Sequence, residues 1–338
     1  MKDIFEYRDN FIEYAGVQSI LIAGNPALIP NPEVSVIIPT FKRPDLLKQS
    51  LESVINQDYA GNYEIIIMDN SGDNADEENE TSKLIKSYHD DRILLYRNEK
   101  NIGMFGNMNR GIELARSNYL TYCHDDDKFY PDALTRLMEL AKIHGEKEIL
   151  SNFSIIDAKG LITRDSKFAP KRKLLILENN DAYEYSKFNQ FISSAGFGCG
   201  CLFSKQKLLE IGGYDPEYYP SADYAMQATY AFKFGCIYNA KPTFYYRIAE
   251  NESLNVYDKF AVVDEHFRNC MKKYLKCPNI ILNRIIKANK RISEVNFAIM
   301  WGKESPTLCK KLKISDRLIM KACRIINAIS SYRLASHH

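Results

Sequence analysis

Three consecutive carboxylates, Asp125, Asp126 and Asp127, directly follow the apolar run Tyr119-Leu-Thr-Tyr-Cys123 and its next residue, His124. Adjacent carboxylates repel one another, so they need solvent or a cation among them. Mg2+ and Mn2+ prefer carboxylate oxygens and bridge readily to diphosphates. The alternative is an exposed acidic turn before a helix, where Asp also suits the helix dipole. Two further carboxylates stand at element ends: Asp69 closes the run Tyr63-Glu-Ile-Ile-Ile-Met-Asp69, and Asp223 opens a helical stretch at about 222–234. A cation can stabilise the charge on a departing phosphate, and a carboxylate can take the proton of a hydroxyl nucleophile. Gly198 and Gly200, in Gly196-Phe-Gly-Cys-Gly200, permit close backbone approach to a sugar or an acceptor, or else mark a strand bulge. There is no P-loop, no G-x-S-x-G and no H-E-x-x-H.

The elements that must carry these groups alternate. Val34-Ser-Val-Ile-Ile-Pro39 reads as a β-branched strand, followed by a helix whose first turn holds Pro44 and whose apolar positions are Leu46, Leu47, Leu51, Val54 and Ile55. Residues 63–69 form a nearly continuous apolar run, as in a parallel strand covered on both faces. A polar helix at 77–88, a strand at 92–96, a helix at 103–116, a strand at 119–123 and a helix at 131–143 complete the first half. This order predicts an α/β fold with a parallel sheet. Ligands of such sheets bind beyond the carboxyl ends of the strands, where Asp69 and the triplet should become neighbours. The second half is more mixed, with helices at about 204–211 and 222–234.

Among 338 residues, 45% are hydrophobic and 26% charged, a globular balance with a real core. The eight Cys include no C-x-x-C pair and no zinc spacing, consistent with free thiols in a reducing compartment. Met1–Glu6 lead into no apolar signal region, and no run reaches the roughly 18 apolar residues of a membrane span, so the expected location is cytoplasmic. Charge is uneven. Residues 267–338 hold sixteen Lys/Arg and three acids, a net of +13, which leaves −11 on residues 1–266. Apolar residues recur at helical spacing in this tail, from Ile280 to Ile299 and from Leu318 to Ile329. Such helices either lie on an anionic membrane surface or pack on the body with a solvated basic face. No nucleic-acid-binding module accompanies the charge.

Four ordered segments resemble the motifs of family 2 glycosyltransferases with the GT-A fold, a Rossmann-like mixed sheet flanked by helices. They are Val34 to Arg43 with Tyr63 to Asn70; Asn101-Ile-Gly-Met-Phe-Gly-Asn-Met-Asn-Arg-Gly111; the triplet with Tyr130-Pro131-Asp132; and Gly212-Gly-Tyr-Asp215 followed by Ser221-Ala-Asp-Tyr224. The resemblance covers roughly residues 34–250. Pro26, Pro30 and Pro32 punctuate a prelude at 1–33, and the chain reads as a largely helical, basic region at 265–338; the resemblance implies a catalytic domain at 34–264 between them. It also implies that Pro39, Thr40, Arg43, Asp69, Asn101, Gly103, Asn109, Asp125 and Asp126 bind a nucleotide-sugar donor, with Asp69 accepting from a base N–H. Asp125, Asp126 and Asp127 would hold Mn2+ or Mg2+; which is the main ligand stays open. Asp223 would be the general base of an inverting displacement, with Tyr224, Gly198 and Gly200 near the sugar or acceptor.

Two positions depart from the family pattern. Ala222 precedes Asp223 where Glu is usual, and Ala249 stands where a histidine is expected, which turns attention to Arg247 for the diphosphate. The expected activity is transfer of a sugar, from UDP by family weighting, to a glycan acceptor carried on a lipid, in surface polysaccharide or O-antigen synthesis at the inner face of the cytoplasmic membrane. The rivals are a sugar nucleotidyltransferase and a non-catalytic scaffold that binds nucleotide or glycan.

Overall fold

The computed structural model describes residues 1–74, 76–164, 182–193, 198–249, 256–300 and 312–335. Lys171–Lys173, Gly196, Phe197 and the 250–253 part of the segment after Arg247 lie outside these residues.

The first seven strands and four helices are β1 (Ser19–Ala23), β2 (Val34–Thr40), α1 (Pro44–Ile55), β3 (Tyr63–Asp69), α2 (Glu80–Lys86), β4 (Ile93–Asn98), α3 (Gly103–Leu114), β5 (Tyr119–Tyr122), β6 (Lys128–Phe129), α4 (Ala133–His144) and β7 (Glu148–Ile156). There follow β8 (Ile162–Arg164), β9 (Ala182–Glu184), α5 (Lys187–Ile192), β10 (Leu202–Ser204), α6 (Lys205–Ile211), α7 (Ala222–Phe234), β11 (Cys236–Arg247), α8 (Tyr257–Met271), α9 (Asn279–Met300) and α10 (Ile314–Ala335).

One mixed sheet runs β1-β4-β3-β2-β5-β10-β7-β11-β6, with β8 against β7 and β9 against β11. Its centre, β4-β3-β2-β5, is parallel. All seven residues of β3 are buried, which explains its nearly continuous apolar character, with Glu64 and Asp69 the two charged members. Leu47, Leu51 and Val54 of α1 and Leu134, Leu137 and Ala141 of α4 pack under Val36, Ile38, Ile65 and Ile67. On the opposite face, Phe105, Met108 and Ile112 of α3 join Ile37, Ile66 and Met68, together with Tyr224 and Tyr230 of α7. The chain leaves β2 towards β3 and β4, then returns through α3 to β5 on the other flank of β2. The crossover between β2 and β5 opens the crevice in which ligands of such sheets sit.

The first 33 residues are part of this body. β1 pairs antiparallel with β4 at the sheet edge. Residues 2–10 strap the turn before α7: Arg8 is 2.9 Å from Asp215, and the Asn10 amide donates to the Gly212 carbonyl at 2.9 Å. α8 crosses the boundary expected at 264/265. In the basic tail, Phe267, Met271, Leu282, Ile285 and Ile286 are buried in the same core cluster as α7. Ile280, Ile281, Ile314, Leu318 and Ile325 remain exposed. No helix among the described residues is long and apolar enough to cross a membrane.

Candidate active site

The ends of β2 and β5 meet at the crossover. Val34 to Ile37 of β2 pair in register with Tyr119 to Tyr122 of β5, which brings Thr40 beside the residues after β5. Thr40 Oγ1 donates to Asp125 Oδ2 at 2.9 Å. The Arg43 guanidinium grips the same carboxylate from two sides, Nε to Oδ2 at 3.2 Å and Nη2 to Oδ1 at 2.6 Å. Its Nη1 reaches Asp126 Oδ2 at 3.3 Å. Bidentate pairing of this kind fixes orientation as well as charge. Asp125 is buried, and burial raises its carboxyl to about 7 against the opposing pull of Arg43. Arg43 keeps 44% of its side chain exposed, so a held cation faces the crevice.

Asp127 is differently placed. Its Oδ1 accepts from the Arg247 backbone N–H at 2.9 Å, and its buried Oδ2 has no hydrogen-bond partner among the described residues. Burial and the charge of Asp126 push its carboxyl well above the usual range. An orphaned buried carboxylate oxygen calls for a ligand. Ligand atoms of His124, Asp126 and Asp127 lie within 4.8 Å of one another, and this oxygen-rich set fits a divalent cation. Burial pushes the His124 imidazole below its ordinary value, which favours the neutral form.

Asp223 stands in the first turn of α7, half-buried, where its Oδ1 accepts from the Tyr224 N–H at 2.8 Å. Burial raises its carboxyl to about 7. Gly198 lies between the two carboxylate centres: a Cβ there would come 3.6 Å from His124 Nε2 and 3.7 Å from Tyr214 Oη. The charge of Asp223 is one reason, after burial and Tyr122, that the Tyr214 phenol is pushed up. Gly200, at φ +64°, lets Phe244 and Thr243 approach closely, and its carbonyl accepts from Thr243 Oγ1 at 2.9 Å, as in a tight bend of the sheet.

Several expected donor and acceptor residues are engaged elsewhere. Asp69 is fully buried: Arg97 Nε donates to its Oδ2 at 2.9 Å, Asn79 donates to the same oxygen at 3.0 Å, and Ser71 N–H donates to Oδ1. It therefore organises the loop after β3 instead of presenting a free carboxylate. Asn101 Oδ1 accepts from the Gly103 N–H at 2.8 Å and from Asn70, which shapes the α3 entrance. Gly103, at φ +74°, has open space around it. Asn109 is engaged as well: its Nδ2 donates to the Tyr214 carbonyl and its Oδ1 accepts from the Tyr214 N–H, both at 2.8 Å, so it clamps Tyr214.

Arg247 is engaged in the same way. It is buried, its Nε donates to the Asp126 carbonyl at 2.7 Å, and its Nη atoms donate to Asp157 and Ala158 carbonyls and to Gln49. It braces the triplet from behind, with 1% of its surface exposed. The Tyr224 hydroxyl donates to the Gln190 and Ser193 carbonyls, which takes it away from an acceptor. Ala222 is buried in the apolar core, where the usual Glu would require a partner. Pro39 lies half-buried at the end of β2. The sequence reading passed over His124, although it adjoins the triplet, and over Arg97, whose pairing with Asp69 depends on the β3–β4 register.

Comparison with known proteins agrees with this architecture. The family model of glycosyl transferase family 2 matches residues 35–212. A Campylobacter jejuni protein named GalNAc(5)-diNAcBac-PP-undecaprenol beta-1,3-glucosyltransferase is 32% identical over 137 residues, 40% of this chain and 42% of that one. The putative colanic acid biosynthesis glycosyl transferase WcaA of Escherichia coli is 33% identical over 105 residues, 31% of this chain and 36% of that one. The chain thus spans less than half the length of either relative. Among solved structures, S. aureus TarS 1–349 in complex with UDP-GlcNAc superposes with a TM-score of 0.54 at 13% identity, covering 89% of both chains. The mannosyltransferase PcManGT from Pyrobaculum calidifontis, in complex with GDP-Man and Mn2+, gives 0.54 at 14% identity, covering 92% of this chain and 89% of that one. With more than half of its residues inside the family match and the parallel crossover sheet beneath them, this chain belongs to glycosyl transferase family 2 and has the GT-A fold.

Proposed function

We propose that this enzyme transfers a sugar from a UDP-sugar, with inversion, to a hydroxyl of a glycan carried on a lipid, in the synthesis of a surface polysaccharide such as O-antigen. The observation that carries the reading is the Thr40–Asp125–Arg43 cluster at the β2–β5 crossover. It fixes a carboxylate and a half-exposed cation where a nucleotide-sugar binds in such sheets. Asp126 and Asp127 are the carboxylates suited to Mn2+ or Mg2+, which supplies charge stabilisation to the departing diphosphate when bound. Asp223 takes the proton of the acceptor hydroxyl while that oxygen bonds the anomeric carbon and the bond to the diphosphate breaks. A base whose carboxyl lies at about 7 is well matched to this task near neutrality. The nucleotide sugars in the TarS and PcManGT structures and the undecaprenol-linked substrate in the Campylobacter name support the donor and acceptor classes.

The basic tail supports a peripheral place on the inner face of the cytoplasmic membrane. On α10, exposed Ile314, Leu318 and Ile325 are interleaved with exposed Arg317, Lys321 and Arg324, a pattern suited to anionic lipid. The test is calorimetric titration of UDP, GDP and dTDP, with and without Mn2+, on wild type and on a protein with Asp125, Asp126 and Asp127 changed to Ala. Metal-dependent binding of UDP, lost in the variant, supports the reading; binding of no nucleotide by folded protein overturns it. Binding without turnover would favour the scaffold, and pyrophosphate release from UTP and a sugar phosphate would favour a nucleotidyltransferase.

A further inference from the structure

His124 stands one residue before the carboxylates, at the open side of the cluster, with 30% of its side chain exposed. Its Nδ1 lies 3.6 Å from Asp127 Oδ2. That oxygen is buried and has no hydrogen-bond partner among the described residues beyond the weak thiol donor Cys199 beside the carboxylate, while its twin oxygen is fixed by the Arg247 N–H. The separation is too long for a hydrogen bond. Two atoms each about 2.1 Å from one octahedral cation lie about 3.0 Å apart in adjacent positions, so a cation would need only a few tenths of an ångström of closure. Asp126, 19% exposed, completes the group from the solvent side.

We propose that the His124 imidazole is a direct ligand of the cation, through Nδ1, and that it makes this site select Mn2+ and later transition ions over Mg2+. The inference rests on the donor-site reading above. Carboxylate and water oxygens alone suit Mg2+ and Mn2+ alike, whereas an imidazole nitrogen adds affinity for the softer transition ions and little for Mg2+. The backbone supports the geometry. Asp127 is locked by β11 through Arg247, and His124 follows β5 after the single residue Cys123, so the nitrogen and the orphaned oxygen are held from two elements of the same sheet. Gly198 adds no side chain against the other edge of the ring, where a Cβ would stand 3.6 Å from Nε2.

The test uses full-length protein and Mn2+ alone, with pulsed electron paramagnetic resonance as the readout. Bound Mn2+ should show nitrogen-14 modulation from one imidazole in wild type and none in His124→Gln or His124→Asp. In competition, the preference for Mn2+ over Mg2+ should fall about tenfold or more in His124→Asp, which restores an all-oxygen set. Thermal melts of the metal-free proteins establish that each variant is folded, and His124→Gln serves if the added carboxylate of His124→Asp prevents folding. Bound Mn2+ without nitrogen modulation in wild type, or an unchanged metal preference in a folded variant, overturns the proposal. Failure of the donor-site reading is seen separately, as loss of nucleotide binding in the calorimetric titration.

Discussion

The backbone N–H of Arg247 donates to Asp127 Oδ1 at 2.9 Å, and the same residue's Nε donates to the Asp126 carbonyl at 2.7 Å. One arginine at the end of β11 thereby fixes two members of the acidic triplet from behind. The Arg247→Met protein keeps the backbone bond but orphans the carbonyls of Asp126 and Ala158 and leaves that of Asp157 only its bond from the Gly160 N–H. Its stability should fall by about 3 kcal/mol, measured by urea unfolding. In the fraction that remains folded, Mn2+ affinity should fall about tenfold by calorimetry, as expected when a brace behind a metal ligand is lost.

The half-buried Asp223 gives a signed pH dependence. Burial places its carboxyl at about 7, and the charge of Asp264 adds to the rise. A general base works deprotonated, so kcat/KM should climb about tenfold per pH unit below 7 and level off above it. An ordinary carboxylate would level off near pH 4. Asp223→Asn should lower kcat by about a thousandfold with a smaller change in KM. A flat profile between pH 5 and 8, or an Asn variant of normal rate, would remove Asp223 from the chemistry.

Glu148, at the start of β7, is buried with only the weak neighbours Cys236 and Gln227 beside its carboxylate and no other hydrogen-bond partner among the described residues, and burial raises it to about 8. The native state therefore holds this proton between the ordinary carboxylate range and about 8, while the unfolded chain releases it. Its contribution to stability is fully present below the unfolded value and is lost as pH rises through that window. Glu148→Gln, neutral at every pH, should come close to wild type near pH 5 and exceed it by about 4 kcal/mol at pH 9, about 10 °C in Tm. Parallel Tm curves for the two proteins across this range would refute the assignment.

Gly212 closes α6 at φ +86°, and a Cβ there would come 1.6 Å from the Arg8 carbonyl oxygen. The N-terminal strap and the turn before Asp223 depend on this close approach. Gly212→Ala should cost about 2–4 kcal/mol through the left-handed backbone and the displaced strap. Chemical denaturation reads the loss, and an effect under 1 kcal/mol would show that the strap is held loosely.

Thr40 Oγ1 is the neutral donor to Asp125, beside the charged grip of Arg43. Thr40→Val keeps the shape and removes one hydrogen bond to a buried carboxylate. Binding of UDP in the presence of Mn2+ should weaken about tenfold, with stability lowered by about 1–2 kcal/mol. Unchanged UDP affinity in the calorimeter would place the donor away from this crossover.

By itself the sequence determined the central elements and the positions of the carboxylates. The nearly continuous apolar character of 63–69, Pro44 at the start of α1 and the left-handed stop at Gly212 are local signals, and periodicity and turn chemistry act over about ten residues. Those signals were enough to place Asp125, Asp126 and Asp127 beyond one strand and Asp223 at the start of a helix. Only the tertiary structure decided which polar groups are available to a ligand. Asp69 is taken by Arg97, 28 residues away; Asn109 by Tyr214, 105 away; and Asp126 is braced by Arg247, 121 away. The same holds for β1, read from its Pro-punctuated surroundings as a prelude and paired in the fold with β4. A buried polar side chain must bond whatever the packed chain brings beside it. Its role is therefore set by strand order and register, which no stretch of local sequence contains.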